Sequence, residues 1–88
     1  MRPLRHEALG TLYDDLEQVA AKAARLCADQ ALTVWVDHAD QVFIDLPPDV
    51  IHAPRDYIVG TYNAHSNNTR QKIARDLAEM KRRHGRTK

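Results

Sequence analysis

Cys27 is the only cysteine in this chain, so no disulfide can form within it, and zinc sites built on paired cysteines are excluded. A lone thiol is typical of reducing compartments, and the cytoplasm is the expected location. Glycine is nearly as scarce. Gly10, Gly60 and Gly85 are scattered, and none belongs to a loop that could cradle a phosphate, so nucleotide hydrolysis is not expected. The histidines His6, His38, His52, His65 and His84 show no HxxxH spacing. His52 and His65, with Asp49 or Asp56, come nearest to a ligand set, but surface loops explain them better. No metal and no cofactor are expected. Long apolar runs are absent too: none approaches the roughly 18 to 20 residues that span a bilayer. The opening MRPLRHEALG carries charge without the apolar stretch of a secretion signal. No membrane partner is expected.

What remains is the composition of a globular domain, 43% hydrophobic and 28% charged over 88 residues, which allows one domain, 1–88. So short a chain buries only about 60 to 65% of the surface it exposes when unfolded. A second copy would relieve that, which makes a homodimer one expectation.

Charge is unevenly placed. Residues 1–68 hold five Lys/Arg against ten Asp/Glu, whereas residues 69–88 hold eight against two. A basic segment of this kind attracts phosphate backbones or acidic protein surfaces.

The hydrophobic pattern predicts an α+β fold. GTLYDDLEQVAAKAARLCADQ reads as a helix capped by Thr11, with Asp14, Asp15 and Glu17 in its first turn and a stripe of Leu12, Leu16, Val19, Ala23 and Leu26. Residues 1–10 are an arm or extra helical turns. LTVWV and VFIDL alternate, and one antiparallel register pairs their apolar faces: Val36 with Val42, Val34 with Ile44, Leu32 with Leu46. The loop is then His38-Ala39-Asp40, with Asp40 in the left-handed conformation. Trp35 and Phe43 stand opposite each other on the second face, beside Thr33, Asp37, Gln41 and Asp45. Pro47-Pro48 ends the second strand, and Val50 and Ile51 are expected to tuck against the core. YIVGTYN suits a third strand by its β-branched and aromatic content, with Gly60 at a bulge or close approach, while Pro54 at a first helical position and Asp56 behind it also suit a short helix. NNTRQKIARDLAEMKRRHG is a helix opened by an Asn68/Gln71 capping box, striped by Ile73, Leu77 and Met80, and stopped by Gly85; 86–88 is a frayed basic tail. The expected architecture is a small antiparallel sheet covered on one face by an N-terminal and a C-terminal amphipathic helix, in the order α-β-β-β-α.

Candidate chemistry is thin. Cys27 sits mid-helix next to the apolar stripe, where a thiol is buried and inert. Asp14/Asp15 and Asp37/Asp40 have adequate structural roles at a helix start and in a turn. An enzyme is not expected; a small enzyme or metal-binding protein is the minor alternative. Two surfaces carry binding instead. On the last helix Arg70, Lys72, Arg75, Lys81, Arg82, Arg83 and Arg86 form a cationic ridge suited to phosphates, although basic residues also complement a helix C-terminus. On the sheet, Trp35 and Phe43 with Asp37 and Asp45 make an aromatic island in an acidic setting, either covered from within the chain or docked on a protein. The leading expectation is a small non-enzymatic binding or regulatory protein that contacts nucleic acid through the basic helix. The alternative is an inhibitor or adaptor, of the kind common among phage and mobile-element accessory proteins, that blocks a protein of a nucleic-acid-handling complex through the Trp35/Phe43 face.

Overall fold

A computed structural model of the chain describes residues 6–27, 31–46, 55–63 and 68–84. Six elements follow one another: β1 (His6–Thr11), α1 (Leu16–Cys27), β2 (Leu32–Val36), β3 (Gln41–Asp45), β4 (Tyr57–Tyr62) and α2 (Thr69–His84). The strands form one sheet in the order β1-β3-β2-β4, with every neighbouring pair antiparallel. The expected α+β layer is present, with one strand added at its start.

That strand corrects the reading of residues 1–10 as an arm or helical turns. Residues 6–11 pair with β3, and a bulge between Ala8 and Gly10 interrupts the alternation. The bulge drives Leu9 into the core, where it is 2% exposed, and Gly10 takes up a φ of +137° that a side chain rarely adopts. Helix α1 consequently begins four residues after the expected start. Thr11 uses its hydroxyl within a turn, accepting from the Tyr13 amide, and Asp14 accepts from the Thr11 amide. Asp15 is the residue that opens the helix. Its carboxylate accepts the Glu17 amide at 3.1 Å, while its carbonyl receives Gln18 and Val19.

The hairpin forms in the expected register, with Val34 opposite Ile44, Trp35 opposite Phe43 and Val36 opposite Val42. Asp40 is left-handed at φ +65°, as the three-residue loop requires. Asp37 holds the turn closed: its carboxylate accepts the amides of Ala39 (2.8 Å) and Gln41 (2.9 Å). The third strand is also present. Beside the bulge at its centre, Gly60 lies so close to the Tyr62 ring that a Cβ would fall 2.8 Å from the phenolic oxygen.

Both helices cover the same face of the sheet. Leu32, Val34, Val36, Val42 and Ile44 from the strands meet Val19, Ala20, Ala23 and Cys27 of α1 and Ile73, Ala74 and Leu77 of α2 in one buried cluster. Each fully buried aliphatic side chain contributes about 1.5–3 kcal/mol relative to exposure. Helix α2 does not open on the expected capping box. Asn68 has a φ of +69°, outside the extended range of an N-cap, and its carbonyl accepts the Lys72 amide; Thr69 donates its hydroxyl to the Asn63 carbonyl at 2.7 Å. Val50, Ile51, Gly85 and the basic tail 86–88 lie outside the described residues.

Candidate functional site

The register fixes what stands on the uncovered face of the sheet. Ala8, Phe43, Trp35 and Ile58 form one row across all four strands. Asp45, opposite His6, flanks that row. Because β3 and β4 both run antiparallel to β2, they are parallel to each other, and the chain must travel the length of the sheet between them. Arg55, at the end of that connection, sets its Nε 2.7 Å from Asp45 Oδ2. The Trp35 indole N–H donates to Asp45 Oδ1, also at 2.7 Å. Trp35 stacks on Phe43 with ring centroids 4.6 Å apart, and His6 presents an edge to both rings.

Of the two expectations for this face, cover from within the chain is the one seen at Trp35 and Asp45. Trp35 is 9% exposed and Asp45 only 1%, so the pair belongs to a second, small core. The physical reason is the indole N–H: a buried Trp needs an acceptor, and a buried carboxylate needs a cation, and Asp45 with Arg55 answers both needs. The Arg55 ion pair lies off the hydrogen-bond axis, so its attraction is Coulombic rather than directional. Phe43 stays half-buried, and Asp37 is engaged in its turn. Of the four residues singled out on this face, none presents a free surface group.

The basic residues of α2 stand differently. Arg70, Lys72, Arg75, Lys81, Arg82 and Arg83 are all exposed, while Arg86 lies outside the described residues. Arg70 reaches across to Glu17 of α1 at 3.2 Å, and the Lys81 ammonium sits 5.5 Å from the centre of the Tyr13 ring. Arg70 therefore faces α1, and Lys81 faces the turn that precedes it. Lys72, Arg75, Arg82 and Arg83 point away from the core, with Glu79 among them. Glu79 pairs with Arg82 and Arg83, and the Arg82 hydrogen bond and charge hold its carboxyl below the usual range. The second acid of the helix, Asp76, accepts a hydrogen bond from the Tyr62 hydroxyl at 2.7 Å. Burial, reinforced by that bond, pushes the Tyr62 phenol far above its ordinary value.

At the C-terminal end of α2 the fold gathers side chains that are distant in sequence. His84 Nε2 lies 3.0 Å from Asp40 Oδ1 and 3.1 Å from the Asp37 carbonyl. The Tyr13 hydroxyl donates to the other Asp40 oxygen at 3.1 Å. Tyr57 packs its ring on His84, with centroids 4.2 Å apart. Sequence reasoning missed Tyr13, Tyr57 and His84 as a group, because the β1–α1 turn, the start of β4 and the end of α2 meet only in three dimensions.

Among the described residues no three His, Cys, Asp or Glu side chains are grouped to hold a metal ion, and no helix is long and apolar enough to cross a membrane. Cys27 is fully buried, and burial raises its thiol pKa. No protein-family model, curated protein or solved structure matches the chain.

Proposed function

We propose that this chain is a small non-enzymatic binding protein that holds nucleic acid against the outer surface of its helices. One observation carries the reading: the charge division along the sequence is also a division between layers. Among the described residues, α1 and α2 hold Lys22, Arg25 and the six basic residues of α2 against only Glu17, Asp76 and Glu79. The strands and their turns hold one cation, Arg55, against Glu7, Asp14, Asp15, Asp37, Asp40, Asp45 and Asp56. A surface with this field attracts a polyanion and orients it. Lys22 and Arg25 stand apart from α2, on the flank of α1 beside Glu7, Asp14 and Asp15, so the α2 residues carry the polyanion contact.

Lys72 and Arg83 are separated by about 16 Å along the axis at ~1.5 Å per residue, a span that covers several successive phosphates. Guanidinium groups grip phosphate through paired hydrogen bonds, and Arg75 has no ion-pair partner among the described residues. A protein acting this way suits a reducing compartment such as the cytoplasm, where Cys27 stays a thiol. A homodimer would double the cationic surface, and light scattering of the purified chain decides whether one forms.

The test is anisotropy of fluorescein-labelled oligonucleotides titrated with the protein from about 50 to 200 mM salt. Binding should weaken with a log–log slope near −0.7 to −0.9 per phosphate contact, and Lys72→Ala or Arg75→Ala should each lessen that slope by about one contact. No anisotropy change with any DNA or RNA at the lowest salt would end this reading. Capture of an acidic protein by the same helices, with no nucleic acid bound, would replace it with a protein partner.

A further inference from the structure

The cationic ridge by itself does not choose between duplex and single strand, since phosphates are present in both. The aromatic side chains next to it do. Tyr13 is 50% exposed and Tyr57 is 45% exposed, and with Ile58 they are the large apolar side chains that the described residues leave open. Both tyrosines belong to the cluster at the C-terminal end of α2, the end that carries Lys81, Arg82 and Arg83.

Their mooring is what makes them more than stray surface rings. Tyr13 is fixed by its hydroxyl to Asp40 and lies beneath the Lys81 ammonium. Tyr57 is backed by the His84 imidazole, and His84 is in turn bound to Asp40 and to the Asp37 carbonyl. One carboxylate, Asp40, thus ties both tyrosines to the end of the basic helix, and it sits at a left-handed loop position set by the hairpin. A ring that is already immobilised loses little conformational entropy when a base stacks on it. Two acids at this end are occupied, Asp40 by Tyr13 and His84 and Asp37 by the amides of its turn, while Glu79 shares Arg82 and Arg83, so an incoming phosphate competes with one exposed carboxylate. Bases rather than phosphates suit the tyrosines, while phosphates suit the neighbouring cations.

Resting on the nucleic-acid reading above, we propose that the ligand is a single strand whose bases stack on Tyr13 and Tyr57 while its phosphates run onto Lys81, Arg82 and Arg83. Base faces are available for this only when they are unpaired; in a duplex they are stacked within the helix. Aromatic rings beside cations are the usual means of holding a strand irrespective of its sequence.

The experiment compares a fluorescein-labelled 15-nucleotide oligodeoxythymidine, the corresponding oligouridine and a 15-base-pair DNA duplex, each titrated with the intact chain. The single strands should bind more tightly than the duplex. Tyr13→Ala and Tyr57→Ala should each weaken single-strand binding by about 5- to 150-fold with the salt slope unchanged, because a stacking partner is lost and no charge. Tyr13→Phe and Tyr57→Phe should retain most of the affinity. Leucine at either position keeps apolar bulk without a π face, so leucine variants with unaltered Trp35 emission should bind as weakly as the alanine variants. Equal or tighter duplex binding, or alanine and leucine variants at parental affinity, would overturn the inference while leaving the ridge intact if Arg75→Ala still lowers the slope. Absence of binding to all three probes would overturn both proposals together.

Discussion

Replacement of Asp45 tests whether the uncovered face of the sheet is a core or a docking surface. In Asp45→Ala the Trp35 indole N–H loses its 2.7 Å acceptor in a setting where the residue is 9% exposed, and the Arg55 guanidinium loses its counter-charge. A hydrogen bond to a charged group contributes about 1.5–3 kcal/mol. Breaking a buried ion pair costs about 3–5 kcal/mol, but the Arg55 side chain is 29% exposed and can recover part of its hydration. The pair is also off-axis, so the indole bond carries the larger share. The expected loss is about 2–4 kcal/mol, from a total that small domains seldom raise far above ~5–10 kcal/mol. For a chain of this length that corresponds to a fall in Tm on the order of 10–25 °C. Asp45→Asn keeps an acceptor for the indole and should lose roughly half as much. Urea unfolding followed by fluorescence suits the measurement, because Trp35 is the only tryptophan and reports its own surroundings. An Asp45→Ala midpoint within about 0.5 kcal/mol of the parent would refute the argument, since only an exposed carboxylate could be removed so cheaply.

Three other perturbations follow from the same structure. Gly10→Ala places a Cβ 2.7 Å from Asp14 Oδ2 at a φ of +137°, and should destabilise by about 1–3 kcal/mol in urea titration. Stability should fall as pH rises above about 10: in the folded state the Tyr62 phenol resists ionisation, the unfolded chain releases its proton there, and the gain from the neutral hydroxyl is complete only below that point. Tyr62→Phe should lessen this alkaline loss, by about 1.4 kcal/mol per pH unit at most, in unfolding curves recorded at successive pH values. Cys27, fully buried and with its thiol pKa raised by that burial, should react with a disulfide reagent at pH 8 far more slowly in the native protein than in urea.

The hairpin could be read from sequence down to its left-handed Asp40, because period-two alternation on two adjacent segments permits only one register that buries both aliphatic faces. The helices could be read from their stripes, although Asp15 rather than Thr11 begins the first. Strand β1 could not. HEALGT has a glycine, two charged or titratable leaders and no alternation, and it is a strand because β3 offers an edge and a bulge seats Leu9. The buried Trp35–Asp45–Arg55 group was equally hidden, since its cation arrives from ten residues beyond the carboxylate by way of a crossover. The available signal was an aspartate two residues along β3 from Phe43, the cross-strand neighbour of Trp35. The outward position of Lys72, Arg75, Arg82 and Arg83 was legible because helical phase alone places them, whereas the turn of Arg70 toward Glu17 and of Lys81 toward Tyr13 was not. The tyrosines at the end of that helix were not legible, because three separate segments converge there.

The two middle strands of the sheet, β2 and β3, are also the two joined by the shortest loop. The chain can therefore assemble its centre within microseconds and recruit the outer strands afterwards, against a larger closure entropy. Amide exchange should register that sequence in reverse, with β1 and β4 opening before the hairpin releases its protons.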